Sequence, residues 1–457
     1  SIKIFTAKHG ANHPTVGVFK NNLAVNFVDQ GFFDEAREIY EESLKSMEQF
    51  FGSDHPQTSI VFNNLGYFYS EQNLFNDAEK YYLKSLNIDK KYYGDYHPNV
   101  FKSQVNLIYN FVDSGNLYKA IELAKNYYTS KLIFIQKEAP FLSLDDRELF
   151  KKKYGANNLP FSFVSSGEEI GSNLAVFYRL NNHGLLQEIE KRQTKLKNLS
   201  KKENLLLDRL SKLTKELSAR NLDSNEVINL REQKKKLEKN LYRLIPEIKP
   251  KIFGVKEIYK FLPKNSLLIE YKKYTPLFNN PNNEEKYIAL IIKKNGDINS
   301  IDLGLAKKID DQIKNAYSQS TSLPEFESQF DNAQKAWHDL SDLIIAPLKE
   351  IIGEVETLFI SPDAEINKVP FAALSLDKED QFFSDLFNLR LLTTGRELIS
   401  LSKKSDSSNR DSVVFANPNF NKFNNTGHSD IGEKYPLSIS QRRSKDLNSA
   451  KWGQLPG

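Results

Sequence analysis

Three His-Pro pairs, His13-Pro14, His55-Pro56 and His97-Pro98, stand 42 residues apart (13 to 55, 55 to 97) and carry a whole pattern with them. After each pair comes a helical segment with an asparagine-leucine step: Asn22-Leu23, Asn64-Leu65 and Asn106-Leu107. A turn follows at Gly31, Asn73 or Gly115, then a second helical segment with Ala36, Ala78 or Ala120 at the matching place. Tyr40 and Tyr82 come next, with Ala124 in register. Such a period constrains the chain strongly, because each helical hairpin cannot bury its apolar face alone and neighbours must stack. Small residues at fixed offsets let paired helices approach closely, and large ones fill the space between pairs. Residues 1–130 are therefore expected to form an all-α solenoid. The His-Pro pairs read as loop-shaping elements: each imidazole lies a full repeat from the next, too far for shared metal ligation.

The pattern resembles tetratricopeptide repeats, in the long-loop form similar to that of kinesin light chains. The resemblance implies that Asn22, Asn64 and Asn106 face a concave groove, where an amide can hold a peptide backbone as both donor and acceptor. The implied partner is a protein activator or a substrate peptide. The plainer alternative is that these amides satisfy neighbouring groups of the chain itself. Lys3 to Pro14 aligns with the tail of a repeat, Gly10 matching Gly52 and Gly94. The sequence is therefore expected to begin inside a second helix, with more repeats ahead of Ser1.

Over 131–184 the period is lost, and irregular helices are expected to connect the solenoid to the next region, with His183 as a structural residue. Residues 185–246 are strongly charged, with leucines on a narrow seam: Leu196, Leu199, Leu206, Leu210, Leu213 and Leu217, then Val227, Leu230, Leu237, Leu241 and Leu244. Matching heptad seams on either side of Asn221–Asn225 predict an antiparallel coiled-coil hairpin, ended by Pro246 and Pro250. With little core to anchor it, this arm is the expected mobile element. Its run Lys234-Lys235-Lys236 is flanked by Glu232 and Glu238 and reads as a solvated face rather than a nucleic-acid patch.

From residue 253 strands alternate with helices, which predicts an α/β layered sheet. Ser266 to Tyr271 and Lys286 to Lys293 are apolar strands, Asn295-Gly296-Asp297 is a hairpin turn, and Ser300 to Leu303 pairs back. Helices are expected near Ala306 to Ser318 and Phe326 to Ile352, the latter with Trp337 and Leu340 on its apolar face. Further strands fall at Thr357 to Ile360, within Leu386 to Leu392, and at Val413 to Ala416. The ordered segments FLPKNSLLIEYKKY, KYIALIIKKNGDINSIDLG, WHDLSDLIIAPLKEII, TLFISPDAEINKVPFAALSLD, VVFANPNF and WGQLPG resemble a CHAT domain, caspase- and separase-like, over 253–457. That family is commonly fused behind tetratricopeptide repeats, and the segment from Phe141 to Leu186 resembles the connector of such proteins. The fold expected is thus multidomain: an all-α solenoid, a coiled-coil hairpin, and a caspase-like α/β sheet incomplete at its C-terminus.

The resemblance implies proteolysis by a His/Cys dyad, in which histidine takes the proton of a thiol that then attacks a peptide carbonyl. This chain contains no cysteine. His338 sits in a predicted helix and His428 in the loop NNTGHSD, and neither matches the family's H-x-x-x-H-G-like context. No catalytic residue is therefore assigned within the chain, and the dyad is expected beyond Gly457. Asp363 reads as a turn residue. SSGEEIGSN, with Gly167 and Gly171, lacks the lysine of a phosphate loop. No metal site and no cofactor is expected.

Composition narrows the classes further. A net charge of +4 over 457 residues argues against a dedicated nucleic-acid surface, leaving at most an indirect role there. No apolar run approaches the ~20 residues that span a bilayer, so no membrane contact is expected and the cytoplasm is the expected compartment. The leading expectation is the regulatory, partner-binding portion of a protease, to which the family resemblance adds bacterial defence or cell death. Two alternatives stand beside it: an interaction scaffold whose α/β part is a pseudo-protease, and a processed chain working with a separate catalytic fragment.

Overall fold

The computed structural model describes residues 2–401, apart from 11–12, 143, 155–157, 197–198, 218–223, 279, 321–326 and 375–381. The expected strand at Val413 to Ala416, the terminal WGQLPG and His428 lie outside the described residues. So does most of the turn predicted at Asn221–Asn225.

The repeat region folds as its period requires. After α1 (Ile2–His9) come three antiparallel pairs: α2 (Pro14–Asp29) with α3 (Phe33–Phe51), α4 (Pro56–Glu71) with α5 (Phe75–Tyr93), and α6 (Pro98–Asp113) with α7 (Leu117–Glu138). The His-Pro pairs turn out to be helix starts. His13, His55 and His97 accept the N–H of Thr15, Gln57 and Asn99 through Nδ1, satisfying an orphan donor, while the following proline takes the first helical position, where no N–H is needed. The turns at Gly31, Asn73 and Gly115 have φ of 80°, 59° and 76°, a left-handed conformation that glycine and asparagine tolerate. Ala36, Ala78 and Ala120 are fully buried at the helix crossings.

The connector holds α8 (Leu144–Tyr154), the single turn α9 (Leu159–Ser162) and α10 (Glu169–Asn182). α10 is buried from Gly171 to Asn181 apart from Asn173, and it packs on α7 on one side and on the sheet on the other. The leucine-rich region is three helices rather than two: α11 (Leu185–Leu196), α12 (Lys201–Leu217) and α13 (Ser224–Leu244). Only α12 and α13 form the hairpin, joined by Leu210, Leu213, Leu237, Leu241 and Ile245. α11 departs from the seam because Leu185 and Ile189 enter the main core instead.

After α14 (Val255–Tyr259), a five-stranded mixed sheet runs in the order β3-β2-β1-β4-β5. β1 (Ser266–Tyr274), β2 (Lys286–Lys293) and β3 (Ile298–Leu305) form an antiparallel meander. α15 (Ala306–Ser320), α16 (Glu327–Ile344) and the short α17 (Lys349–Ile352) then lead to β4 (Thr357–Ser361), parallel to β1. α18 (Phe383–Leu386) precedes β5 (Asn388–Leu391), parallel to β4, and α19 (Glu397–Leu401) follows. The expected single helix from Phe326 to Ile352 is interrupted: α16 ends at Ile344 and a 3-10 turn spans Ala346–Leu348. Pro347 lacks the N–H that a continuous helix would need.

Both faces of the sheet are covered, so β1 and β2 read as continuous apolar runs. Leu267, Ile269, Tyr271, Ile291 and Leu358 pack against α15, α16, Phe371 and Phe383. The opposite face, with Leu268, Leu290, Ile292 and Phe359, joins a core that continues through Leu174 and Leu180 of α10 into Leu132, Leu107 and Ala78 of the repeats. The later repeat helices, α5 to α7, thus share one core with the sheet, while α2 to α4 pack around a separate cluster that includes Tyr40 and Phe68.

Candidate functional site

The repeat asparagines lie on the first helix of each pair. Asn22 is exposed, while Asn64 and Asn106 are half-buried. Asn64 Nδ2 donates to Asn21 Oδ1 at 3.1 Å, and Asn106 Nδ2 donates to Asn63 Oδ1 at 2.9 Å, so these two amides also tie each first helix to the one before. The same helices expose Val18, Ile60 and Tyr109. They also carry the carboxylates Asp29, Glu71 and Asp113 at one repeat offset, a regularity that the sequence shows and sequence reasoning missed. Tyr67 Oη donates to Asp29 Oδ1 at 2.8 Å.

The hairpin is held to the repeats by charge. Arg231 of α13 donates to the Lys91 and Tyr92 carbonyls at the end of α5, where the helix dipole favours a cation. Lys234 pairs with Glu138 at 3.1 Å, and Glu238 with Lys137 at 2.6 Å. The buried apolar cluster of the hairpin, Leu210, Leu213, Leu237, Leu241 and Ile245, is drawn from the hairpin itself and the residue that follows it.

A second constellation gathers beyond the carboxyl ends of β1 and β4. Arg179 of α10 is 2% exposed and spends its fork of donors on the sheet. Its Nε reaches Glu270 Oε2 at 3.0 Å, Nη1 reaches Asp363 Oδ1 at 3.1 Å, and Nη2 reaches Ser361 Oγ at 3.3 Å and the Pro362 carbonyl at 3.0 Å. Glu270, fully buried on β1, also accepts the Gly395 N–H at 2.6 Å. Asp363 takes Lys272 Nζ at 2.7 Å and the Lys273 N–H at 3.0 Å, with His183 Nδ1 at 3.8 Å. Sequence reasoning gave Asp363 only a turn, whereas it is the hub of this cluster.

The electrostatics come from burial and neighbours. Burial opposes ionisation of Asp363, but Arg179 and Lys272 outweigh it and hold the carboxyl below its ordinary range. Burial, reinforced by Arg179, pushes His183 down, so its imidazole is neutral at neutral pH. Ser361 Oγ is fixed between Arg179 and the Thr393 carbonyl, which it reaches at 2.9 Å, and no base is placed to activate it among the described residues. The cluster is therefore built for charge balance and positioning, not for nucleophilic attack. A further chain of contacts leads away from it. Arg396 pairs with Glu188 at 2.6 Å, Glu188 pairs with Arg192, and Arg192 donates to Gln136 of α7 at 3.0 Å.

His338 faces Asp342 one turn on, at 3.8 Å, on α16. Among the described residues no group of three or more His, Asp or Glu is arranged to hold a metal, and no helix is long and apolar enough to cross a membrane.

Comparison with known families gives two matches. A tetratricopeptide-repeat model matches residues 15–91, and a CHAT-domain model matches residues 334–457. The second begins within α16 and takes in β4 and β5, while β1 to β3 of the same sheet lie ahead of it. No curated protein matches the chain.

Proposed function

From a chain that carries tetratricopeptide repeats ahead of a CHAT domain, we propose that these 457 residues are the regulatory, partner-binding portion of a caspase- and separase-like cysteine protease. A protein partner engages the repeats through the face bearing Asn22, Asn64 and Asn106, and that engagement releases cleavage of a protein substrate. The thiol nucleophile comes from outside these residues, which contain no cysteine. The cytoplasm is the proposed compartment.

The observation that carries this reading is the shared core running from Ala78 and Leu107 of the repeats through α10 to Leu268 and Leu290 of the sheet. A binding module on a loose tether could deliver a protease but could not deform it. Close-packed interiors transmit strain, so a shift among the repeat helices bears directly on β1.

The test is to express the protein from its native reading frame and follow cleavage of proteins in a lysate by N-terminal labelling, with and without a bound partner. The reading expects new N-termini that appear with the partner and vanish after thiol alkylation. Partner binding without any alkylation-sensitive cleavage would overturn it in favour of an interaction scaffold.

A further inference from the structure

The first helices of the three repeat pairs present one matching stripe each. On α2 the stripe runs through positions 22, 25 and 29, a spacing of i, i+3 and i+7 that keeps side chains on one side of a helix. It recurs 42 residues on in α4 and again in α6. Every side chain on the three stripes is exposed or half-buried. The stripes lie side by side, because α2 touches α4 and α4 touches α6. Hydrogen bonds cross between them: Tyr67 Oη reaches Asp29 Oδ1 at 2.8 Å, and Asn64 Nδ2 reaches Asn21 Oδ1 at 3.1 Å.

The chemistry of this face is that of an acceptor. Asn64 and Asn106 each spend Nδ2 on the neighbouring helix, which leaves Oδ1 to accept. Asp29, Glu71 and Asp113 form the last row and are all exposed. The ion pairs within the repeats, Lys20 with Glu42, Lys91 with Asp54 and Lys119 with Glu79, draw on other residues. Tyr67 and Tyr109 stand one turn before Glu71 and Asp113, so a ring lies beside each of these carboxylates. A ring face next to a carboxylate suits a lysine ammonium or an arginine guanidinium. Lys102, on the same side of α6, stands about three turns from Asp113 and leaves that row anionic.

Spacing narrows the occupant further. Packed helices stand about 8–10 Å apart. A chain in the polyproline conformation rises about 3.1 Å per residue with three residues per turn, so every third side chain points the same way about 9 Å on. Cations at every third residue therefore match the step from one carboxylate to the next.

We propose that the face bearing Asn22, Asn64 and Asn106 takes an extended segment of a partner protein with lysine or arginine at every third residue. These cations meet Asp29, Glu71 and Asp113, while the asparagines hold the segment's backbone. The proposal rests on the reading that a partner engages these helices, and it names the chemistry of that partner.

The test titrates the full chain into fluorescein-labelled peptides at low ionic strength, where exposed charges are screened least, and follows anisotropy. One peptide repeats Lys-Pro-Ala three times, a second replaces each lysine by glutamate, and a third is an isomer of the first with its lysines adjacent. The lysine peptide should bind about tenfold tighter than the glutamate peptide, and about threefold tighter than the isomer. Glu71→Lys should weaken its binding about tenfold. Glu48→Lys makes the same charge change at an exposed position of α3 and should bind as the parent does. Equal binding of the lysine and glutamate peptides, or equal weakening by Glu71→Lys and Glu48→Lys, would overturn the proposal. Equal binding of the isomer would overturn the spacing. Peptide binding is read without any cleavage, so these failures stay distinct from a failure of the protease reading.

Discussion

Arg179 Nε donates to Glu270 Oε2 at 3.0 Å, with the two side chains 2% and 0% exposed. A charge on the middle helix layer thereby meets a charge on the face of β1 that also carries Leu268 and Lys272. Neither could be buried alone, because an isolated ion in the interior costs several kcal/mol.

Arg179→Ala should therefore be among the most destabilising single changes in the chain, by about 3–5 kcal/mol, since it leaves Glu270 buried without the cation it pairs with and takes from Asp363 one of its two. The paired change Arg179→Met with Glu270→Leu should cost less than Arg179→Ala. Urea midpoints followed by circular dichroism measure both. Equal losses would show that the pair is not what the burial depends on.

Acid should loosen the cluster in two steps, whose signs are fixed by the shifts. His183 stays neutral in the folded chain, so as pH falls below 6.5 the unfolded chain gains a proton that the native one refuses, and stability drops. Asp363 is held below its ordinary 3.8, so its contribution is intact above that value and is lost as pH falls beneath it. His183→Asn should flatten the pH dependence of the urea midpoint between pH 6.5 and 4.5, by at most about 1.4 kcal/mol per pH unit. Parallel slopes in the variant and the parent would contradict this.

Gly395→Ala should disturb the same cluster from the other side. A Cβ there would lie 2.3 Å from Leu268 Cδ2 and 3.2 Å from Glu270 Oε1. Overpacking of this kind costs about 1–3 kcal/mol. Leu268→Ala should recover part of the loss in the double variant, measured by the same midpoints.

Asn22 and Asn64 separate binding from architecture. Asn22 is exposed and Asn64 ties its helix to Asn21. Asn22→Ala should leave the melting temperature unchanged and weaken partner binding, whereas Asn64→Ala should lower both, the stability by about 1 kcal/mol. An unaltered dissociation constant in Asn22→Ala would remove that asparagine from the contact.

The hairpin's hold on the repeats should depend on salt, because its named tethers are ion pairs and a charged cap. Glu238→Lys should raise hydrogen exchange in α13, and adding Lys137→Glu should restore protection by reversing the pair. The side chains of Lys137 and Glu238 are only 17% and 11% exposed, so Glu238→Lys should cost more than the ~1 kcal/mol of an exposed pair, and high ionic strength should reduce the loss only in part.

What the sequence made legible was local or periodic. A period of 42 residues placed six helices, and Asn295-Gly296 placed the β2–β3 turn, where Gly296 has φ of 99°. The break after α16 was legible too, since Pro347 stands inside the expected helix. The charge cluster was not, because Arg179 and Asp363 are 184 positions apart and meet only when α10 lies across the sheet. A faint signal existed. Glu270 interrupts the apolar run SLLIEY and Arg179 interrupts FYRL, and a charge inside a buried segment requires a partner. Composition could say that each needed one, but not that each would find the other.

The continuous core also limits how such a chain can be taken apart or recombined. A cut near residue 253 would strip Leu174 and Leu180 from Leu268 and Leu290 and leave two wet apolar faces. The repeat region is no cassette to be moved onto another enzyme. Any exchange of repeats that preserves folding must keep α7 and α10 together with the sheet they cover, so the heritable unit is larger than either of the two segments that match known families.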